Sequence, residues 1–385
     1  MLILFLGAVL VADPVVDAIA SRTGLPRVSL LLLLGLLLAS GGPAVVSAEV
    51  VDSFPVLAEI ALAMVGFLLG GEFVLDKLKA HGRAVLALSV GVTLVTGAVV
   101  TLGAWLAGLG LAVALVLGAA STATDPAAVL SVTRDSGSEG PVTSTLLGVV
   151  AVDDVWGLLA FGAVLGALDV LLVTGGAEGP VAAVFELGGS ILLGVAVGLP
   201  MAWMTGRLLP GTPTLVEALG FVLLVCGLAE IWHLSYLLAT VTLGAVVSNF
   251  ATHHELPFHE IEHIERPFLT LFFVLSGATV QLHEVGRVLP VLGLYVVLRV
   301  VGRVAGGWIS TTAGRLEDRY RWAGFALLPQ AGVALGMALV ATERHPELGQ
   351  STLAVLVLAT VVFETVGPLL TRRFVAQAGE FQRDG

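Results

Sequence analysis

The sequence predicts an all-α membrane protein of thirteen transmembrane helices, and three observations carry that prediction. Hydrophobic residues make up 57% of the chain and charged residues 12%, whereas a soluble domain carries roughly 25% charge. Too few charges are present to clothe a water-facing surface. The mean hydropathy is +1.01, and the apolar stretches have the length of a bilayer-crossing helix, about 20 residues. The strand alternation that a β-barrel requires is absent over these lengths. The single cysteine, Cys226, rules out an internal disulfide and a cysteine-based metal centre. The excess of 29 acidic over 18 basic residues argues against nucleic acid as a partner.

The expected spans follow in order. Spans one to three cover residues 2–20, 27–40 and 54–71, with Pro43 between the second and third. Residues 84–124 contain no Asp, Glu, Lys or Arg, and Gly108-Leu109-Gly110 divides this run into spans four (84–107) and five (111–133). Pro141 opens span six (142–168), Pro180 opens span seven (181–206), and Pro213 opens span eight (214–232). Spans nine to thirteen are 235–250, 267–283, 288–312, 321–342 and 350–371. Pro267 and Pro346 stand at or just outside ends, where a proline costs least. No Lys or Arg precedes Arg22 and no small-residue cleavage site follows the first apolar run. That run therefore reads as a retained helix and not a signal peptide.

An odd number of spans puts the termini on opposite sides. Loops after odd-numbered spans, with the tail, hold fourteen of the eighteen Lys and Arg residues; the other loops hold only Arg287 and Arg344. Basic residues mark the cytoplasmic side, so the N-terminus is expected outside and the C-terminus inside a cell (inner) membrane. The twelve residues beyond Arg373 are expected to carry no regulatory domain.

Ionisable residues inside a membrane cost about 2.5–3.5 kcal/mol each on insertion scales and are functional candidates by default. Asp153 and Asp154 sit near the middle of span six with about ten apolar residues on either side. Adjacent helical positions point about 100° apart, so one carboxylate can face an ion path while the other meets an opposing charge. In span five, Ser121-Thr122-Ala123-Thr124-Asp125-Pro126 predicts a break, which lipid tolerates only where it lines a cavity. Span twelve carries a matching interruption, Pro329-Gln330-Ala331-Gly332. Two interrupted helices seven spans apart point to inverted-topology repeats, spans one to six and eight to thirteen, with span seven (180–207) as connector. In span eleven Arg299 and Arg303 lie four apart on one face. A guanidinium does not deprotonate, so Arg303 must find a carboxylate, a helix C-terminus or water; Arg299 has no partner assignable from sequence.

Other polar residues carry less. Asp13 and Asp17 in span one and Glu59 in span three suit packing or subunit contacts as well as ions, Glu230, Trp232 and His233 look interfacial, and Glu364 can serve backbone groups freed at Gly367-Pro368. The run from His253 to His263 is metal-like in composition. The phase of Leu256, Phe258, Ile261 and Ile264 instead predicts a short amphipathic segment on the cytoplasmic face, and no metal site is expected.

Together, Asp153-Asp154, Thr124-Asp125-Pro126 and Gly302-Arg303-Val304-Ala305-Gly306-Gly307 resemble the monovalent cation:proton antiporter superfamily, specifically bacterial sodium/proton antiporters with a paired-aspartate site. The likeness covers essentially the whole chain. It implies the sodium/proton antiporter fold, with crossed, broken helices five and twelve. It also implies a homodimer whose scaffold is 1–72 and 213–284 and whose mobile ion-translocating core is 84–168 and 287–372, within a single transmembrane unit spanning 1–385. By the same resemblance Asp154 is the carboxylate that alternates between cation and proton, Asp153 is the partner of Arg303, and Asp125 and Thr124 complete the ion site. Ser121, Thr122, Pro126, Pro329 and Gln330 form the crossover. Three departures stand out: Arg303 replaces the lysine common in electrogenic members, Thr-Asp-Pro is the form seen in the electroneutral branch, and the second interruption lacks the Arg and Glu of some relatives.

The expected activity is exchange of Na⁺, with Li⁺ accepted, for H⁺, without a cofactor. K⁺/H⁺ exchange and coupled transport of an organic solute on the same fold are the alternatives, and the stoichiometry stays open. A channel would need a carbonyl filter repeat, and the H-E-x-x-H and G-x-S-x-G signatures of hydrolases are absent.

Overall fold

The computed structural model describes residues 2–23, 25–40, 46–71, 75–168, 179–205, 215–251, 255–280, 282–330 and 332–380. Among these the chain is helical throughout, with no strand. The helices are α1 (Leu2–Thr23), α2 (Arg27–Ser40), α3 (Ala48–Asp52), α4 (Phe54–Gly71), α5 (Leu75–Leu106), α6 (Leu111–Ala120), α7 (Pro126–Asp135) and α8 (Pro141–Leu168). They continue as α9 (Gly179–Met204), α10 (Leu215–Ile231), α11 (Tyr236–Phe250), α12 (Glu255–Ala278), α13 (Leu282–Ala313), α14 (Ala323–Ala326), α15 (Gly332–Arg344) and α16 (Gln350–Gln377). Seven helical stretches among the described residues are long and apolar enough to cross a membrane, in α1, α3–α4, α5, α8, α9, α13 and α16. The protein is a multi-pass membrane protein.

The expected interruptions are present. Span five is two helices, α6 and α7, joined by a turn and non-helical link over 121–125; span twelve is α14 and α15. Ala331 lies outside the described residues. One expectation is corrected: Pro267 does not begin a span, because α12 runs through it from Glu255 to Ala278. A proline inside a helix forfeits one hydrogen bond, and here the turns before it hold on through packing, with Ile261 buried and Phe258 stacked 4.6 Å from Phe67. His259 pairs with Glu262 and the His263 ring contacts the His259 carbonyl, so this stretch is the start of a longer amphipathic helix. His253 and His254 lie outside the described residues.

By packing the chain forms two compact units. One comprises Met1–Phe54, His81–Gly157 and Thr270–Gly385; the other comprises Pro55–Ala80 and Leu158–Leu269. The second has its own core around Met64, Phe67, Val222, Leu243 and Val247, and in it the Cys226 thiol donates to Glu59 at 3.3 Å. In the first, Asp13 accepts from Arg27 at 2.5 Å and from Thr270 at 3.0 Å, and Arg27 also pairs with Asp17 at 3.1 Å. These ties join α1 and α2 to the end of α12.

Two contacts in the first unit set the position of its polar centre. The Glu380 carboxylate caps the start of α8, accepting from the amides of Val142 and Thr143 and from the Thr143 hydroxyl at 2.7–2.8 Å. Carboxylates at a helix N-terminus satisfy its free amides and its dipole. Along α13, Gly302 and Gly306 let α5 approach closely: a Cβ there would stand 2.9 Å from Thr96 Cα and 2.8 Å from Val92 Cα. Small residues four apart are a standard means of close approach in lipid. Gly306→Leu should destabilise the protein by about 1–3 kcal/mol through overpacking. Gly293→Ala, in the same helix with nothing within 4 Å, should be neutral or slightly stabilising; thermal melts in detergent distinguish the two.

Candidate functional site

Helices end where the backbone can no longer bond itself, leaving up to four carbonyls unsatisfied at a C-terminus. At α6 this end falls inside the protein. Ser121 and Thr122 turn their hydroxyls back to the carbonyls of Gly118 and Ala119 at 2.6 and 2.7 Å, which leaves the carbonyls of 121–123 to be satisfied from elsewhere. Asp125 then restarts the chain as the N-cap of α7, accepting from the amides of Ala127 and Ala128, both at 3.1 Å, with Pro126 in the first turn. A proline there gives up an amide that would have had no helical partner.

The second interruption meets the first directly. The amide of Asp125 donates to the carbonyl of Pro329 at 3.0 Å, and the Gln330 side chain donates to the Ala120 carbonyl at 3.3 Å while meeting the Tyr295 hydroxyl. Glu364, on α16, brings its carboxyl group against that of Asp125 and accepts from the backbone of Gln330.

Against these breaks lies the helix that carries the paired aspartates. Asp153, wholly buried, accepts from Arg303 at 2.7 Å, from Thr93 at 2.7 Å and from Thr124 at 2.5 Å. Arg303, equally buried, spends its other terminal nitrogen on the carbonyls of Ser121 (3.2 Å), Thr122 and Ala123 (3.0 Å). Its expected partner is thus a carboxylate and a helix C-terminus together. Among the described residues Arg299 makes no such ion pair: each of its three nitrogens donates to a carbonyl, those of Ser121, Leu328 and Ala123, at 3.1, 2.6 and 2.8 Å.

Asp154 differs in kind. It is fully buried, and among the described residues neither carboxylate oxygen has a hydrogen-bond partner. A backbone amide, that of Thr124, approaches without completing a bond, and Asp153, Asp125 and Arg303 are its charged neighbours. An ionised carboxylate stripped of water and donors is strongly disfavoured.

The structure brings together all the sequence-expected site residues: Asp154, Asp153, Asp125, Thr124, Arg303, Ser121, Thr122, Pro126, Pro329 and Gln330. It adds Thr93, Arg299, Tyr295 and Glu364. Thr93 had a signal in the sequence, since Ser89, Thr93 and Thr96 recur at helical spacing in an uncharged run and all are buried.

Two interrupted helices meeting beside a buried, unpaired carboxylate in an all-helical membrane protein define an ion-coupled secondary transporter. Residues 5–376 match the profile of the family described as sodium/hydrogen exchanger, transmembrane, and the chain belongs to that family. The ammonium/H⁺ antiporter subunit AmhT of Alkalihalophilus pseudofirmus is 24% identical over 80% of this chain and 79% of its own. The Na⁺/H⁺ antiporter NhaP of Pseudomonas aeruginosa is 24% identical over 68% of this chain and 66% of its own. The solved structure of the sodium proton antiporter MjNhaP1 from Methanocaldococcus jannaschii superposes with a TM-score of 0.81 at 19% identity, covering 98% of both chains, a likeness of fold.

Removing Arg303 leaves a buried carboxylate without its countercharge. Arg303→Met should therefore cost about 3–5 kcal/mol, and Thr93→Val, which removes one donor of three, about 1–3 kcal/mol. Equal melting temperatures for the two variants in detergent would contradict this ordering.

Proposed function

We propose that the protein exchanges Na⁺, and Li⁺ with it, for H⁺ across the cell (inner) membrane by alternating access. The observation that supports this most is the unlike state of two neighbouring carboxylates. Asp153 is saturated by three donors, whereas among the described residues both Asp154 oxygens are bare. Either a proton or a cation relieves the cost of burying Asp154, and occupancy by one excludes the other; competition at a single site is what exchange requires. Carboxylates and hydroxyls are hard oxygen donors, which suit small cations. The family's description and the name of the NhaP relative agree with Na⁺. K⁺ is the rival cargo, since the same donors bind it less selectively.

Asp125 and Thr124 are the further ligands in this reading, and no resident cofactor or metal takes part: Na⁺ and H⁺ are cargo. An arginine keeps its proton throughout the cycle, and the Asp153–Arg303 bond supports a stoichiometry of one for one, with Asp154 alone titrating. The paired interruptions are read as the matching elements of two inverted repeats. Segments 84–168 and 287–372 form the moving core, 1–72 and 213–284 the scaffold of a homodimer, and 180–207 the connector. The N-terminus lies outside and the C-terminus in the cytoplasm.

In liposomes carrying a pH-reporting dye, Na⁺ and Li⁺ should each drive proton flux; a response to K⁺ alone overturns the choice of cargo. Asp154→Asn should abolish that flux while melting at the same temperature as the parent or higher, because a buried charge is removed. A well-folded Asp154→Asn protein that still exchanges at the parent's rate would refute the role given to Asp154.

A further inference from the structure

Transporters with interrupted helices commonly use the freed backbone carbonyls as cation ligands. In this chain those carbonyls are already taken. Those of Ser121 and Ala123 accept from both Arg299 and Arg303, that of Thr122 from Arg303, that of Leu328 from Arg299, and that of Pro329 from the Asp125 amide. The guanidinium of Arg299 is fully buried, with its carbon 4.3 Å from the centre of the Phe363 ring, which closes one face. Its three nitrogens each donate to a carbonyl of one break or the other. Among the described residues, the buried acidic oxygens around the two breaks that keep no hydrogen-bond partner are both oxygens of Asp154 and Oε1 of Glu364.

We propose that Arg299 is a positioning residue that sets cation choice: by occupying the carbonyls of Ser121, Ala123 and Leu328 it withholds them from the transported ion, which is left to carboxylate and hydroxyl oxygens. The physical consequence is one of field strength. A carboxylate oxygen carries charge and pulls hardest on the smallest ion, whereas a ring of neutral carbonyl dipoles can replace the water around K⁺. With the carbonyls engaged, the site favours Li⁺ and Na⁺. Loss of Arg299 frees the Leu328 carbonyl and leaves those of Ser121 and Ala123 with the Arg303 donor alone, which offers K⁺ weak-field ligands between the two breaks. Arg299, which among the described residues bonds carbonyls and no carboxylate, thus acts through the backbone. Its fork matters as well as its charge, because three carbonyls from two chain segments are held by one planar group.

This inference rests on the exchange reading above, and the same liposome assay separates their failures. Half-maximal concentrations for Na⁺ and K⁺ are measured for the parent, Arg299→Gln and Arg299→Lys. In Arg299→Gln the K⁺-to-Na⁺ ratio of half-maximal concentrations should fall about tenfold or more, as expected for loss of charge-assisted bonds. Arg299→Lys, which keeps a point charge but reaches fewer carbonyls, should fall between. A merely structural role would lower the maximal rate for both ions and leave the ratio unchanged, and that result overturns the proposal. Should neither arginine variant be recovered folded, Phe363→Leu, which removes only the ring against the guanidinium, is read in the same way. A parent protein silent to every cation overturns the exchange reading, and this inference with it.

Discussion

The guanidinium of Arg303 is wholly buried, and lipid offers its N–H groups nothing in exchange for water. Much of the site follows from where its donors go. One nitrogen fixes Asp153, and the other gathers the loose carbonyl end of α6. A carboxylate, a broken helix and the helix eleven base of the family resemblance thereby become one rigid object. Buried ion pairs seldom add net stability over a well-packed apolar core. Here the pair serves geometry: it holds the 121–125 break in place, where Thr124 reaches Asp153 and Asp125 begins the next helix.

The division of labour between adjacent aspartates depends on that geometry. The roughly 100° between neighbouring helical positions points Asp153 at the side-chain donors of α5, α13 and the first break, whereas Asp154, beside Thr124 and Asp125, meets none of them in a hydrogen bond among the described residues. Had both found partners, the pair would be a structural buttress. Had neither, folding would carry the cost of two bare charges. In the exchange proposed here, one satisfied and one bare carboxylate would let a single site bind and release a positive ion while Asp153 stays in place.

Much of this was legible in the sequence because lipid makes polar atoms conspicuous. Asp153-Asp154 and Arg303 stand out in apolar runs, and the prolines at 126 and 329 mark breaks that the structure places in contact. The partners of the remaining polar residues were not legible. Arg299 binds carbonyls, which every residue possesses and no sequence distinguishes. The contact of Glu364 with Asp125 joins helices far apart in the chain. Thr93 was hidden because threonine in a helix commonly bonds its own backbone. Pro267 misled in the opposite direction: a proline was read as a boundary where tertiary packing carries the helix through it. The division into scaffold and core came from the family resemblance, whereas grouping by packing places Met1–Phe54 in the unit that holds the site.

The central claim is that Asp153 stays bound to Arg303 while Asp154 alone trades a proton for a cation. The most direct measurement is the Na⁺ distribution reached at equilibrium in proteoliposomes holding a fixed pH gradient, taken with and without an imposed membrane potential. One charge moving in each direction predicts a Na⁺ gradient that equals the proton gradient and ignores the potential. A Na⁺ gradient that shifts with the potential would mean that more than one proton crosses per cation, and the account of a permanently paired Asp153 would be wrong.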